Sequence, residues 1–155
     1  MGGFGRSPEK NAVQLHPDFP VITGHYRLTE EWSFELPSEF NRRIEDESLV
    51  IWQPGFTMWI IIWNLSDGEL PADRLRDLIS DSSPEAFDKR EASSGNVLKY
   101  SYRVAEDSGD DREAAFYGMV VGSSSHIQIA IYFDEAVQLA TAHNIFESIA
   151  EAPSD

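Results

Sequence analysis

The segment Phe56–Asn64 constrains the fold most, because it is the most apolar stretch of the chain. Read as a strand, it places Thr57, Trp59, Ile61 and Trp63 on one face and Phe56, Met58, Ile60 and Ile62 on the other. A strand that is apolar on both faces must be covered on both. The segment is far shorter than the ~20 residues of a membrane-spanning helix. It therefore predicts a strand near the middle of a sheet, with helices or long loops on each side.

Alternation of apolar and polar residues indicates the other strands. Pro37 is expected to end the first of them, and Pro54 with Gly55 to stop the third. The acidic run 106–113 and the Gly-Ser turn at 122–125 are expected to be hairpin turns. The predicted strands are residues 25–36, 40–44, 49–53, 97–105, 115–121 and 126–133. Residues 97–105 carry apolar side chains on one face only, which predicts a half-buried strand.

Two helices follow from helical spacing of apolar residues. Pro71 suits the first position of a helix, which is expected to end between residues 81 and 84. Asp134 is expected to cap the N-terminus of the second helix. The apolar stripe of that second helix is Leu139, Ala142, His143, Phe146, Ile149 and Ala150.

Strands joined by short turns predict an antiparallel sheet. The expected fold class is α+β, an antiparallel sheet with helices packed on both faces as an α/β/α sandwich. Residues 1–18 are expected to be loosely ordered, residues 19–151 to form a single domain, and residues 152–155 to be a frayed tail.

Three features together resemble the Mog1/PsbP-like fold over roughly residues 25–150. They are the Phe34-Glu35-Leu36-Pro37 strand end, the helix opened by Pro71, and the closing meander, Gly-rich turn and helix from Gly118 to Ile149. The resemblance implies non-enzymatic roles: binding a small GTPase, photosystem assembly, or chaperone and adaptor work for secreted bacterial toxins. No residue string selects among these roles.

Composition removes several classes of function. The chain of 155 residues has no cysteine, which excludes disulfides, a thiol nucleophile and a thiolate metal site. Its net charge of -15 disfavours nucleic acid and anionic membranes as partners. The N-terminus lacks the apolar run of a signal peptide, so we expect a cytoplasmic protein.

The sequence contains no convincing motif for catalysis or for metal binding. Ser123, Ser124 and Ser125 precede His126, but neighbouring residues of a strand point to opposite faces. The four histidines are scattered, and the acidic loop does not match a calcium-binding loop. We therefore predict no catalytic residue, no metal site and no cofactor.

An aromatic set is the most suggestive feature for function: Trp52, Trp59, Trp63, Tyr100 and Tyr102. Tryptophan and tyrosine are enriched at binding hot spots, and they also fill cores. The sequence does not decide whether these five residues lie in the core or line a binding groove.

The favoured function is a non-enzymatic protein-binding module, such as an adaptor, chaperone or immunity-type protein, that binds a protein partner as a monomer or homodimer. One alternative is a small-molecule or lipid-binding domain with an enclosed pocket of at least ~300 Å³. The other is an enzyme of unrecognised type, with convergent polar groups in a cleft.

Overall fold

Short turns join most consecutive strands, and every strand pairing in the described residues is antiparallel. The computed structural model describes residues 15–105 and 112–152. The strands are β1 Val21–Arg27, β2 Trp32–Glu45, β3 Ser48–Gln53, β4 Phe56–Asn64, β5 Phe87–Ser94, β6 Val97–Val104, β7 Ala115–Val121, β8 Ser125–Phe133 and β9 Ala150–Glu151. The helices are α1 Pro71–Ser80 and α2 Gln138–Ser148. The sheet order is β1-β2-β3-β4-β8-β7-β6-β5, and β9 pairs with β2.

Tight turns set the register of the first hairpins. Gly55, at φ +78°, follows Pro54 and reverses the chain between β3 and β4. A side chain at this φ would be strained, which explains the choice of glycine. The turn places Gln53 opposite Phe56, so the apolar faces of β3 and β4 continue into one another.

The larger core lies between one face of the sheet and α2. Large side chains of β2, β4 and β8 meet the helix there. Its large, fully buried members include Trp32, Phe34, Phe40, Phe56, Met58, Phe116, Ile131, Phe133 and Ile145. The Phe146 ring packs edge-on against Phe116, with centroids 5.3 Å apart. This core covers the Phe56–Ile62 face of β4, as the sequence predicts. The opposite face, with Trp59 and Trp63, is only partly covered, so the predicted cover on both faces is wrong there.

A second core lies on the opposite face, where α1 packs on β6 and β7. Leu75 of α1 contacts a cluster that contains Tyr100, Tyr102, Met119 and Val121. Phe116 belongs to the first core and Met119 to the second, as alternation along β7 requires. The fold is thus α+β, one large antiparallel sheet with two helices packed against it.

Several predicted elements are confirmed. The bounds of β4 and β7 are those that the sequence predicts, and α1 begins at Pro71. The predicted strands 49–53, 97–105 and 126–133 differ from β3, β6 and β8 by one residue each.

The residues of the predicted strands 25–36 and 40–44 lie largely in strands, but the predicted bounds are wrong. β1 begins at Val21, the chain turns after Arg27, and β2 continues through Pro37 to Glu45. The register of β1 against β2 shifts between Ile22 and Gly24, which face Phe40 and Leu36. Pro37 lies in this irregular stretch, where β1 and β2 do not form a regular series of backbone hydrogen bonds. The N–H group that proline lacks is therefore not required there.

Other predictions were wrong at the ends of elements. Val137, not Asp134, is the N-cap of α2. Gln138 explains this, because its Oε1 accepts the backbone N–H of Asp134 and of Glu135, which holds residues 134–137 outside the helix. Ala150, predicted in the helical stripe, lies in β9.

No strand was predicted at β5 or β9, and β6 is buried on both faces, not half-buried. Lys99 and Ser101 account for the second buried face of β6. The predicted loose segment 1–18 up to residue 14, the acidic turn at 106–111 and the tail at 153–155 lie outside the described residues.

Candidate functional site

An aromatic groove lies on the sheet face that carries α1, beside the helix. Register places Trp59 of β4 opposite Ala130 of β8, Ala130 opposite Tyr117 of β7, and Tyr117 opposite Tyr102 of β6. The methyl group of Ala130 is too short to fill the space between two large rings. The resulting depression has a volume of about 220 Å³. Its lining side chains on this face are Trp59, Ile61, Tyr102, Tyr117, Met119, Gln128 and Ala130, with Ser48 at one end.

The rings that form the groove support one another. Tyr102 and Tyr117 are stacked, with ring centroids 5.4 Å apart and planes 19° apart. Tyr132 meets Tyr117 edge-on, and their hydroxyl oxygens are 3.2 Å apart. Contacts of this kind fix ring positions before any ligand arrives. The groove is therefore a preorganised aromatic surface.

A second depression of about 360 Å³ continues the groove past Trp59. Thr57, Tyr132, Arg112 and Asp134 line it. The Arg112 guanidinium lies 5.8 Å from the Tyr132 ring centroid, as in a cation–π contact. The continuous surface is thus apolar in its middle and carries charged groups at this end.

A hydrogen-bonded network borders the other end of the groove. Arg74 of α1 donates from Nε and Nη2 to the Glu69 carboxylate at 2.8 and 2.6 Å. Arg74 Nη1 lies 2.8 Å from His126 Nδ1, and His126 Nε2 lies 3.2 Å from Gln128 Oε1. The network therefore links α1 to the groove through a single imidazole.

The protonation states in this network follow from its contacts. The hydrogen bond from Arg74 lowers the pKa of Glu69 to about 2. Burial lowers the pKa of His126. A neutral imidazole suits both neighbours, because Nδ1 can accept from Arg74 while Nε2–H donates to Gln128.

The structure separates the five aromatic residues that the sequence analysis selected. Trp59 and Tyr102 line the groove. Tyr100 is buried in the α1 core, and Trp52 lies under Phe19 and Arg43, with a ring distance of 5.2 Å to Phe19. Trp63 is 49% exposed at the end of β4.

Sequence reasoning missed Tyr117, Met119, Gln128 and Ala130. Odd-numbered residues of β7 and even-numbered residues of β8 lie on one face of the sheet. Alternation alone could therefore have shown that Tyr117 and Met119 share a face of β7, and that Gln128 and Ala130 share a face of β8. Which strand lies beside β4 could not be read from the sequence, and that pairing of β4 with β8 creates the groove.

Among the other candidate groups, Ser123, Ser124 and Ser125 hydrogen-bond the Glu31 and Glu151 carboxylates beside an open depression of about 500 Å³. The histidines lie apart from this cluster. Ser125 Oγ accepts from Trp32 Nε1 at 2.8 Å in the first core, whereas His126 faces Arg74 on the other side of the sheet. His25 pairs with Glu35 on β1 and β2, and His143 packs on Phe116. Across residues 15–105 and 112–152, no three metal-binding side chains come together. Within the same residues, no helix is both long and apolar enough to cross a membrane.

No family model matches the chain, and no curated protein matches it. Function must therefore be inferred from the groove and its surroundings.

Proposed function

We propose that this chain is a non-enzymatic protein-binding module, of the adaptor, chaperone or immunity type, that holds a segment of a partner protein in the aromatic groove. The observation that carries the proposal is the row from Trp59 to Tyr102 across β4, β8, β7 and β6, with exposed Trp63 on the same strand as Trp59. Preformed tryptophan and tyrosine surfaces are typical of binding hot spots.

The shape of the surface favours a chain segment as its occupant. The two depressions join at Trp59 and follow the direction of β4, so successive side chains of a partner could occupy them in turn. By contrast, the cavity beside α2, between Lys99 and His143, is only about 60 Å³. That volume is well below the ~300 Å³ of small-molecule pockets, whereas the depression beside Glu31, Ser123 and Glu151, at about 500 Å³, is large enough but open to solvent.

Charge indicates the chemistry of the partner. The chain has a net charge of -15, so a basic partner is attracted and an acidic one repelled. The middle of the groove is apolar and aromatic. We therefore propose a partner segment with apolar or aromatic side chains flanked by lysine or arginine.

The finer fold assignment belongs to the same proposal. We propose an α/β/α sandwich of the Mog1/PsbP-like kind, which the antiparallel sheet and the two core clusters on its opposite faces support. Cytoplasmic residence is likewise proposed, with support from the lack of cysteine.

Random displayed dodecapeptides selected on the wild-type protein test the proposal. We expect selected peptides to combine basic and apolar residues. Trp59→Ala and Tyr117→Ala should each weaken the affinity of a synthetic selected peptide at least ~10-fold, because removing a hot-spot ring commonly costs more than ~1.4 kcal/mol. Isothermal titration calorimetry measures the dissociation constant, and thermal unfolding confirms that each variant is folded.

Phe87→Ala is the matched control. Phe87 is 44% exposed, more than any ring of the groove, and it packs on Arg103 on the face opposite Tyr102. Its removal should leave the affinity within about twofold. Peptides that bind wild type and both groove variants equally, or a library that yields no binder, would contradict the proposal.

A further inference from the structure

We propose that protonation of His126 loosens α1 and reshapes the aromatic groove, so that the groove responds to pH. Only the consequence for partner binding rests on the proposed function; the coupling between His126 and the groove is a property of the free protein. The steps that lead to this proposal are the position of His126, the charges around it, and the residues that α1 shares with the groove.

His126 is held as a hydrogen-bond acceptor. Its side chain is nearly inaccessible, with 3% of the residue exposed. Nδ1 lies 2.8 Å from Arg74 Nη1, and a guanidinium nitrogen can only donate. If Nδ1 gained a proton, both His126 Nδ1 and Arg74 Nη1 would be hydrogen-bond donors, and neither could accept. The imidazolium would also place a positive charge beside that of the guanidinium.

The groups around His126 compensate the added charge only in part. Burial, the largest effect, and the Arg74 cation lower the pKa of His126, whereas the hydrogen bond to Gln128 and the Glu69 carboxylate raise it. Glu69 is the anion nearest to this network, but its carboxylate already accepts from Arg74 and from the backbone N–H of Ser66. From the neighbouring strands, Trp63 of β4 and Val121 of β7 lie opposite His126, and neither carries a charge. On its own strand, Gln128 accepts from Nε2 in either state. Arg74, the charged group that α1 brings to the imidazole, must therefore move away when His126 is protonated.

Movement of Arg74 reaches the groove through α1. Leu75, the next residue, is the most buried residue of this helix and packs in the second core. Tyr102, Met119 and Tyr117 belong to that core or pack against it, and the same three side chains line the groove. Displacing α1 therefore displaces one wall of the groove.

The direction of the pH response follows from burial. Burial lowers the pKa of His126 below its usual value of 6.5, so the imidazole is neutral at pH 7 and gains its proton only in more acidic solution. Below pH 6.5 the unfolded chain binds a proton that the folded chain resists, so the folded α1 arrangement loses stability as the pH falls.

Nuclear magnetic resonance of the full chain between pH 7.5 and 5.0 tests the coupling. The signals to follow are the His126 ring C–H, the Gln128 side-chain amide, and the methyl groups of Met119 and Ala130. We expect all of them to titrate with one midpoint. Amide exchange in α1, corrected for its intrinsic pH dependence, should become at least ~10-fold faster, which corresponds to ~1.4 kcal/mol of local opening free energy.

Two histidine variants separate the sites. His143 also has a pKa lowered by burial, but it lies on α2 and packs against Phe116 of β7. His143→Gln should therefore keep the coupled titration, whereas His126→Gln should abolish it. Should His126→Gln fold poorly, Arg74→Met keeps the imidazole and removes the facing cation. In that variant the His126 midpoint should rise and the groove signals should no longer follow it.

The outcomes distinguish this inference from the proposed function. Groove signals that stay constant while His126 titrates would overturn the inference, whether or not peptides bind. A selected peptide whose affinity is weaker at pH 5.5 than at pH 7.5 in wild type, and less so in His126→Gln, supports both. Coupled groove signals with no peptide bound at either pH would support the switch and contradict the proposed function.

Discussion

Lys99 shows how one residue can complete a helix from another element. The last turn of α2 contains no basic residue. Lys99 of β6 brings its Nζ to 2.9 Å from the carbonyl oxygen of Glu147 and 3.4 Å from that of Phe146. These carbonyls carry the partial negative charge of the helix C-terminus, which a cation stabilises. Burial lowers the pKa of Lys99, and the Glu147 carboxylate opposes that shift.

Lys99→Met is expected to destabilise the fold by about 1–2 kcal/mol, because two helix carbonyls lose a charged donor while the apolar stem keeps its packing. Urea unfolding measures the loss. Lys89→Met is the control, since Lys89 lies on the exposed edge strand β5 and should change stability by less than ~0.5 kcal/mol. Equal effects of the two substitutions would show that the contact with α2 contributes nothing.

At the scale of elements, the contact between β7 and α2 depends on a missing side chain. A Cβ atom added at Gly118 would overlap the Phe146 ring. Gly118 therefore lets the helix lie close to the sheet, and the ring of Phe146 fills the space above the strand. The spacing between layers is set here by sterics and not by a turn.

Gly118→Ala is expected to cost about 1–3 kcal/mol, because the core must shift to admit the methyl group. Chemical denaturation measures this cost. Phe146→Leu should reduce it, so the double variant should be more stable than the sum of the two single effects predicts. Additive effects in this double-mutant cycle would mean that Gly118 matters for another reason.

The elements that the sequence predicts well are those with strong local patterns. β4 is apolar on both faces, and α1 opens with Pro71, so both were placed correctly. β5 carries the polar sequence of an exposed edge, and β9 has two residues, so neither produces an alternation to detect. The prediction divided β2 into two strands at Pro37. Only the register of β2 against β1 shows why a proline is tolerated at this position.

The groove was predicted in part for the same reason. Trp59 and Tyr102 were selected as aromatic residues of strands, whereas Tyr117 and Ala130 became visible only when β8 and β7 lay beside β4. Ala130 could not be found from its own chemistry, because it contributes by being small. Long-range pairing, and not local preference, therefore determines the candidate site.

For the whole molecule, the dominant quantity is the net charge of -15. Ion pairs in the described residues mostly lie at the surface, as Arg90–Asp88 and Arg76–Asp73 do. Pairs of that kind contribute little, about 0–1 kcal/mol each. The Arg74–Glu69 pair is better shielded, with 16% and 18% of its side chains exposed. Repulsion among the remaining acids is therefore expected to outweigh attraction at neutral pH.

Added salt should accordingly stabilise the protein at pH 7. Raising NaCl from low concentration to 0.5 M shortens the Debye length to a few ångströms and screens this repulsion, so we expect the melting temperature to rise by about 2–4 °C, as one kcal/mol would produce. The same titration near pH 4.5, the isoelectric point of the sequence, is the control. There the net charge is small, so the rise should largely vanish. A melting temperature that falls with salt at pH 7 would mean that attraction within the ion pairs, above all Arg74–Glu69, outweighs the repulsion among the acids. The proposal of a basic partner would then lose its electrostatic support.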